Sequence, residues 1–304
     1  MEQNIHEKLA TKTKPRNSLI VFFLSLLLPG LGQVYNGQPK KGAIFFGLTL
    51  FFSLLFGVMR WTTFFYGLLS LAIIEIALRI YIIIDGVRNA KQQKNYVLKP
   101  YNTWYYYLLI IIGMYIIFMI YDIRVVVGIQ TFSIPSPSNN PTFQVGDYVV
   151  ADMKAYHNKQ PDYGDIVVYS RTDGQMYVFR VVGRPNDKIT LINNVVSVNH
   201  KQSKATFIKE TTSNDMPVLE FEEELPNGHK HLIYKTKPSY DSTKANIKNI
   251  VVPSDSYYLL GDSRDNAADS RYEGFISIDR IKGKVVYSYF GKTTDRINID
   301  FRNK

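Results

Sequence analysis

The first 130 residues hold most of the chain's long apolar runs, which carry few or no charges, and these runs constrain the fold more than any other feature of the sequence. Residues 43–59 form a run of 17 residues without a charge, just long enough to cross a bilayer as a helix. Residues 62–84 form a longer run, and residues 104–120 form a third that begins with aromatic side chains suited to the membrane interface. These runs predict a multi-pass α-helical membrane region of three or four helices over residues 18–124.

The run at residues 62–84 contains two ionisable side chains, Glu75 and Arg79. Their i,i+4 spacing places them on one face of a helix, where they can pair and lower the cost of burying charge. No second ionisable cluster accompanies them in the apolar runs, so the sequence favours a structural ion pair over a transport site.

A shorter apolar run, residues 19–28, follows a basic start at residues 1–17. This order is similar to a signal peptide, but no cleavage site of small residues follows it. A glycine-rich turn at residues 29–42 follows instead, and it resembles the turn of small bacterial helix-hairpin membrane modules. Residues 19–31 either form a re-entrant or interfacial segment or span the membrane, and the sequence leaves both alternatives open.

The loop at residues 85–103 is rich in lysine and arginine and is therefore expected on the cytoplasmic side. We accordingly expect residues 1–17 to be a basic cytoplasmic tail and residues 125–304 to form a domain outside the cytoplasm. The basic residues that carry this argument in the loop are Arg88, Lys91, Lys94 and Lys99.

The composition argues against several classes of function. The chain has no cysteine, which excludes disulfides, thiol catalysis and Cys-ligated metals. Only His229 and His231 among the five histidines are close in sequence, so a metal site has little support. Much of the net charge of +10 lies beside apolar runs, which favours anionic membrane lipid over nucleic acid as the partner.

From residue 148 onward, short runs of β-branched and aromatic residues alternate with turn signals, and no long helical period occurs. This pattern predicts a mostly antiparallel β domain. Asn227-Gly228 is a strong signal for a β-hairpin. The polar, irregular segment at residues 199–250 is expected to be a subdomain inserted outside the core.

The segment at residues 132–153, which we call the serine segment, joins the apolar and β-rich regions. Pro135 and Pro137 hold the backbone extended on either side of Ser136, and Ser138 follows. A serine on a stiffened segment can act as a positioned nucleophile, since nucleophilic catalysis needs fixed geometry. By spacing alone, a Pro/Ser/Asn linker explains the same residues.

This segment resembles the serine box of bacterial type I signal peptidases. Residues 163–169, 177–189 and 261–275 resemble three further boxes of that family, in the family's order. Nine positions of the serine box fall in register: Phe132, Ile134, Pro135, Ser136, Ser138, Pro141, Thr142, Gly146 and Asp147.

The resemblance implies a membrane-bound serine endopeptidase with a Ser/Lys dyad. Ser138 would then be the nucleophile, and the Ser136 hydroxyl would join the backbone N–H of Ser138 in the oxyanion hole. Ile134, Pro135 and the residues beside the serine, including Asn139, would bind substrate. Asn139 stands where the family usually has methionine. No cofactor and no metal are implied.

The general base departs from the family's pattern. Phe179 occupies the lysine position, and a phenyl ring cannot accept a proton. Ala267 occupies the position of the serine that orients this lysine. An apolar pair can pack where the charged group would stand. Lys154 and His157 are the candidates for a replacement base.

The resemblance also implies a charged network beneath the site. As exposed turn charges these residues would contribute little, and a solvated loop is the competing interpretation. The residues concerned are Arg180, Asp262, Arg264, Asp269 and Arg271.

Three functions remain open. The first is a signal peptidase of the bacterial cytoplasmic membrane that removes signal peptides from secreted preproteins at Ala-X-Ala sites. The second is an inactive homologue that binds signal peptides or assists an active paralogue. The third is a membrane adaptor that acts through its N-terminal helices. Phe179 and Ala267 favour the second, whereas Ser136 and Ser138 favour the first over the third.

Overall fold

The structure is a computed structural model that describes residues 13–120, 127–237 and 243–302. The chain divides into two compact units. The first contains residues 1–62 and 66–127, and the second contains residues 63–65 and 128–304. Most of the predicted basic tail, residues 1–12, lies outside the described residues, as do residues 121–126 at the predicted end of the membrane region.

The first unit is helical. Two of its helices, α3 with 20 residues and α4 with 28, are long and apolar enough to cross a membrane, whereas α1 and α5 are shorter apolar helices. The described residues thus supply two candidate spans where the sequence predicts three or four. The elements are β1 (Thr13–Lys14), α1 (Ser18–Leu27), α2 (Leu31–Tyr35), α3 (Pro39–Val58), α4 (Phe65–Gln92), β2 (Tyr96–Val97) and α5 (Trp104–Ile120).

The glycine-rich turn brings α1, α2 and α3 close together. Asn17 caps α1, because its side-chain oxygen accepts the backbone N–H of Leu19 at 2.8 Å. Gly30 precedes α2 with φ +87°, and a Cβ there would lie 2.1 Å from the carbonyl oxygen of Gly42. Only glycine fits both the left-handed backbone and this close approach.

Side-chain amides tie α2 to α4. Gln33 donates to the carbonyl oxygen of Ile82 at 2.8 Å, and Asn36 donates to that of Gly86 at 2.8 Å. Both amides are buried, and such polar contacts between apolar helices stabilise their association.

Among the described residues, no direct salt bridge joins Glu75 and Arg79, the pair that the sequence predicts. Arg79 donates instead to the carbonyl oxygens of Ser25 and Leu26 at the end of α1, at 3.2 and 2.9 Å. Glu75 accepts from the hydroxyl of Ser53 at 3.3 Å. The last carbonyls of a helix lack donors within that helix, and an apolar setting makes an unmet carbonyl costly, so they attract the guanidinium.

Replacing Gly30 tests the packing of this turn. We expect Gly30→Ala to lower the thermal midpoint of helix unfolding by more than about 5 °C, because the added methyl group meets a backbone carbonyl at positive φ. Gly47→Ala in α3 is the matched control, since a Cβ there meets nothing within 4 Å. Circular dichroism in detergent measures both midpoints, and equal midpoints would contradict the proposed constraint.

The second unit is a β-rich domain whose strand pairings are all antiparallel within the named strands, which confirms the predicted fold of this region. Its strands are β3 (Ile129–Ser133), β4 (Tyr148–Asp152), β5 (Ile166–Ser170), β6 (Met176–Gly183), β7 (Lys188–Ile192), β8 (Val195–Val198), β9 (Lys201–Gln202), β10 (Lys204–Ser213), β11 (Met216–Glu224), β12 (Lys230–Thr236), β13 (Ile247–Val251), β14 (Ser256–Leu260), β15 (Ile276–Ser277) and β16 (Ile281–Phe290); a one-turn helix, α6, covers Ser270–Glu273.

These strands form three sheets. The largest has seven strands in the order β15-β14-β6-β5-β16-β4-β3, which places β3 at an edge just before the serine segment. The second has the order β13-β7-β8-β9, and the third has the order β10-β11-β12. Buried apolar residues of this unit pack into three clusters. The first contains Val149 and Phe143, the second Ile189 and Tyr258, and the third Val167 and Leu259.

The segment at residues 199–250 contributes to two sheets. The three-stranded sheet lies entirely within it, and the hairpin predicted at Asn227-Gly228 connects β11 and β12. The strands β9 and β13 at its ends pair with β8 and β7 instead. The segment therefore begins and ends in the four-stranded sheet.

Candidate active site

The serine segment leaves the edge strand β3 and turns sharply. Ser136 is extended, with φ −130° and ψ 154°, as the residue before a proline must be. Pro137 then opens a single 3₁₀ turn, Pro137–Asn139, whose first position suits the fixed φ of proline. The two serines are brought together by this turn, and their hydroxyl oxygens lie 3.3 Å apart.

Backbone bonds fix the position of this turn. The carbonyl oxygen of Ser138 accepts the N–H of Ser263 at 3.1 Å, and that of Asn139 accepts the N–H of Phe143 at 3.0 Å. Gly261 lies against the same carbonyl, because a Cβ at Gly261 would be 2.5 Å from the Ser138 oxygen. The turn therefore sits directly on the backbone that follows β14.

Phe179 and Ala267 lie at the same place. A Cβ on Gly261 would be 2.4 Å from the Cβ of Ala267 and 3.2 Å from the Cε1 atom of Phe179. Both side chains are buried, at 3% and 8% exposure, in the apolar cluster that includes Val167 and Leu259. The two positions that the sequence resemblance assigns to a lysine and its orienting serine are thus buried beside Gly261, which contacts Ser138, and are occupied by apolar side chains.

In the part of the chain that the structure describes, no base contacts the hydroxyl of Ser138. Its hydrogen-bond partner is Ser136, and no Lys, His, Asp or Glu side chain among residues 13–120, 127–237 and 243–302 bonds to it. The side chain of Lys154 packs on Gly128, at the opposite end of β3 from the serine segment. His157 is exposed in the turn after Lys154. The structure brings neither candidate base to Ser138.

Arg180 and Asp262 form a buried, two-pronged ion pair next to this turn. The Nε and Nη2 atoms of Arg180 donate to the two carboxylate oxygens of Asp262 at 2.8 and 2.7 Å. Thr142 of the serine segment donates to the same carboxylate at 2.5 Å, and Gly164 accepts from Arg180 at 2.9 Å. Burial alone would raise the pKa of Asp262, but the charge and hydrogen bonds of Arg180 hold it below its ordinary value.

The other predicted network residues are also buried and paired. Asp269 accepts from the Nε and Nη2 atoms of Arg271 at 2.8 and 2.7 Å, and from the N–H of Gly261 at 2.9 Å. Arg264 binds both carboxylate oxygens of Glu223. These residues are therefore not solvated loop charges. The carboxylate of Asp269 holds the glycine on which the serine turn rests.

The sequence analysis missed Glu223, His231 and Asn194. Glu223 and His231 lie on β11 and β12 of the three-stranded sheet, and their side chains approach within 3.3 Å. Asn194 accepts from Arg271 at 2.8 Å and, through its backbone, from Arg264 at 3.2 Å. An acidic residue in a strand of alternating polar and apolar residues looks like a surface residue. The signal in the sequence was that Arg264, if buried, would need an acidic partner from another part of the chain.

Burial and neighbouring charges together determine the protonation of Glu223 and His231. Burial alone would raise the pKa of Glu223, but Arg264 lowers it well below the ordinary value. Burial and the charge of Arg180 lower the pKa of His231, although Glu223 and Asp262 oppose them. The network thus contains ionised carboxylates, arginines and a neutral imidazole near neutral pH.

The three residues predicted to bind substrate differ from one another in exposure. Pro135 is exposed beside the serines. Ile134 is only 5% exposed and packs in the apolar cluster around Phe143, so its side chain has a packing role. Asn139 is buried, and its side-chain amide donates to the carbonyl oxygen of Val178 at 2.6 Å. A role for these residues in substrate binding stays a prediction.

Comparison with known proteins gives the class to which this fold and site belong. The family model described as "Signal peptidase, peptidase S26" matches residues 104–290, which is more than half of the chain. The chain therefore belongs to the type I signal peptidase family.

Two sequence relatives agree with this assignment. Signal peptidase I of Rickettsia akari (strain Hartford) is 30% identical over 197 residues, which cover 55% of this chain and 73% of the relative. Signal peptidase I of Rickettsia conorii is 29% identical over 196 residues, with the same two coverages. A signal peptidase I structure from Enterococcus faecalis covers 41% of this chain and 97% of its own, at 20% identity and a TM-score of 0.26.

Asp262→Asn tests the buried ion pair. The substitution leaves the guanidinium of Arg180 without its counter-charge, so we expect the free energy of unfolding at pH 7 to fall by about 3–5 kcal/mol. Asp162→Asn is the matched control, because Asp162 pairs with Arg184 on the exposed surface and should contribute less than about 1 kcal/mol. Denaturant unfolding in detergent, followed by circular dichroism of the β-sheet, measures both; similar losses would refute the assignment.

Acid should destabilise the β unit. Asp262 and Glu223 have lowered pKa values in the folded state, so the unfolded chain binds more protons as the pH falls. Their stabilising contribution is complete above the ordinary carboxyl pKa and is lost as the pH falls through the folded values. We expect the thermal midpoint to be lower at about pH 3 than at about pH 7. An unchanged midpoint would contradict this.

Proposed function

We propose that this protein binds the extended end of signal peptides and does not cleave them by the family's Ser/Lys chemistry. The observation that carries the proposal is the burial of Phe179 and Ala267 against Gly261, next to Ser138. Serine needs a base within hydrogen-bond reach to become a nucleophile. Catalysis by the oxyanion site and binding alone is orders of magnitude weaker than with the base.

Retained features support a binding role. The hydroxyls of Ser136 and Ser138 remain at the surface of the turn, and β3 next to them is an edge strand. An extended peptide can add to such an edge through backbone hydrogen bonds, with small pockets accepting small side chains. The ligands we propose are secretory preproteins with Ala-X-Ala ends, as the family relationship implies.

The membrane region supports a location where such peptides occur. The helices α3 and α4 are candidate spans, and the basic loop at residues 85–103 favours the cytoplasmic side. The proposal also requires α5, a shorter apolar helix of 17 residues, to cross the membrane between this loop and the β unit. We propose that the β unit works on the extracytoplasmic side of a bacterial cytoplasmic membrane, alone or beside an active paralogue.

Active cleavage is the second candidate function. The intact pair of serine hydroxyls, 3.3 Å apart, favours it. It needs a base that reaches Ser138 only when substrate is bound, because catalytic contacts can tighten in the substrate complex.

A cleavage assay separates these two functions. Purified protein in detergent is incubated with a preprotein, beside Ser138→Ala and the double variant Phe179→Lys with Ala267→Ser. We expect no product from the wild type or from Ser138→Ala, because neither has a base at the serine. The double variant restores an amine and its orienting hydroxyl, so we expect it to produce a cleaved product of the correct length.

Wild-type cleavage that disappears in Ser138→Ala would establish a working peptidase and end the binding-only proposal. Binding is measured separately, by fluorescence anisotropy of a labelled peptide ending in Ala-X-Ala. Wild-type protein that neither cleaves nor binds would refute both functions.

A further inference from the structure

The strand β6 has an open edge beside the serine segment. Along β6, Val181 exchanges hydrogen bonds with Gly164 and Asp165, before β5, at 2.9 Å each. Since backbone groups alternate in an antiparallel pair, Phe179 also faces β5, whereas Arg180 and Val178 face the other neighbour. That neighbour is β14, which ends at Leu260, the residue paired with Arg180. No residue of β14 is therefore paired with Val178.

The chain after β14 does not continue along this edge. Gly261 turns toward the Ser138 carbonyl, and the N–H of Tyr234 on β12 bonds to the carbonyl of Asp262 at 2.9 Å. On the side of β6 that faces β14, no strand among the described residues pairs with Val178, whose other side pairs with β5.

Asn139 occupies this position. Its side-chain amide donates to the carbonyl oxygen of Val178 at 2.6 Å, and the side chain is buried. An amide N–H on a strand carbonyl makes the same contact that the backbone N–H of an added strand would make.

Backbone bonds that do not involve the Asn139 side chain also hold this turn. Backbone bonds already fix it: Asn140 to Pro137 at 2.9 Å, Phe143 to Asn139 at 3.0 Å, and Ser263 to Ser138 at 3.1 Å. The side chain of Asn139 is thus available for a different role.

We propose that Asn139 is a built-in competitor for bound peptide: its amide takes the place of the peptide N–H on Val178, and an extended peptide must displace it to pair with β6. The inference rests on the proposed binding function and adds a backbone contact with β6 to the proposed contact with the edge strand β3; the occupant is a polypeptide backbone in β conformation. The Asn139 amide therefore lowers the affinity of the protein for the extended peptide. One neutral hydrogen bond corresponds to about 1 kcal/mol, or about five-fold in the dissociation constant.

Two substitutions at this position test the competitor. Asn139→Met and Asn139→Ala both remove the donor, so each should lower the dissociation constant of a labelled Ala-X-Ala peptide by about five-fold. Asn140→Ala is the matched control. Its side-chain amide bonds to the hydroxyl of Ser213 at 2.7 Å, in the turn between β10 and β11, so its loss should leave the affinity unchanged.

A measurement on the unmodified side chain does not depend on the folding of any variant. Nuclear magnetic resonance of protein labelled with ¹⁵N in asparagine follows hydrogen exchange of the Asn139 side-chain amide. We expect slow exchange in the free protein and fast exchange at peptide saturation. An Asn139 amide that stays protected at saturation would overturn the inference.

The outcomes separate this inference from the proposed function. Binding by the wild type with unchanged affinity in both Asn139 variants would overturn the competitor and leave the binding function standing. Binding by the variants but not by the wild type would support the competitor and refute binding by the native chain. No binding by any of them would overturn both.

Discussion

The buried ion pair between Arg180 and Asp262 is the contact on which the β unit's candidate site depends. It joins β6, the second residue after β14, and the serine segment, since Thr142 binds the same carboxylate. A buried guanidinium is tolerated only when its donors and its charge are matched, so these three segments can meet in few arrangements. The position of the serine turn follows from this requirement.

A second buried ion pair, between Arg271 and Asp269, contacts Gly261. Asp269 binds Arg271 through both oxygens and also accepts the N–H of Gly261. Gly261 must lack a side chain because the Ser138 carbonyl and Ala267 occupy the space of a Cβ. Serine turn, glycine and carboxylate thus form one unit whose geometry does not involve the missing lysine.

This separation would allow Phe179 to stand in place of a base, as we propose, while the fold of the site is kept. Phe179 and Ala267 belong to an apolar cluster, whereas Arg180, the next residue on β6, belongs to the charged network. Alternate residues of a strand face opposite sides, so the two systems share a strand without sharing a contact surface. Replacing an amine and a hydroxyl by two apolar groups removes the need to pair a buried charge.

The sequence by itself determined the local and patterned features. Apolar runs indicated helices, alternation with turn signals indicated antiparallel β-structure, and four ordered boxes gave the family and the residues Ser138 and Phe179. These features are readable because each depends on a few neighbouring residues. The boundaries were less accurate, because the turn at residues 29–42 contains a helix of its own.

Only the tertiary structure decided which distant groups meet. Arg79 caps a helix 53 residues away rather than pairing with Glu75, and Glu223 reaches Arg264 from a sheet whose sequence looks like surface. The contact of Asn139 with Val178 likewise depends on where β14 ends. A buried polar group takes whichever partner the packed fold brings to it, and sequence spacing does not encode that position.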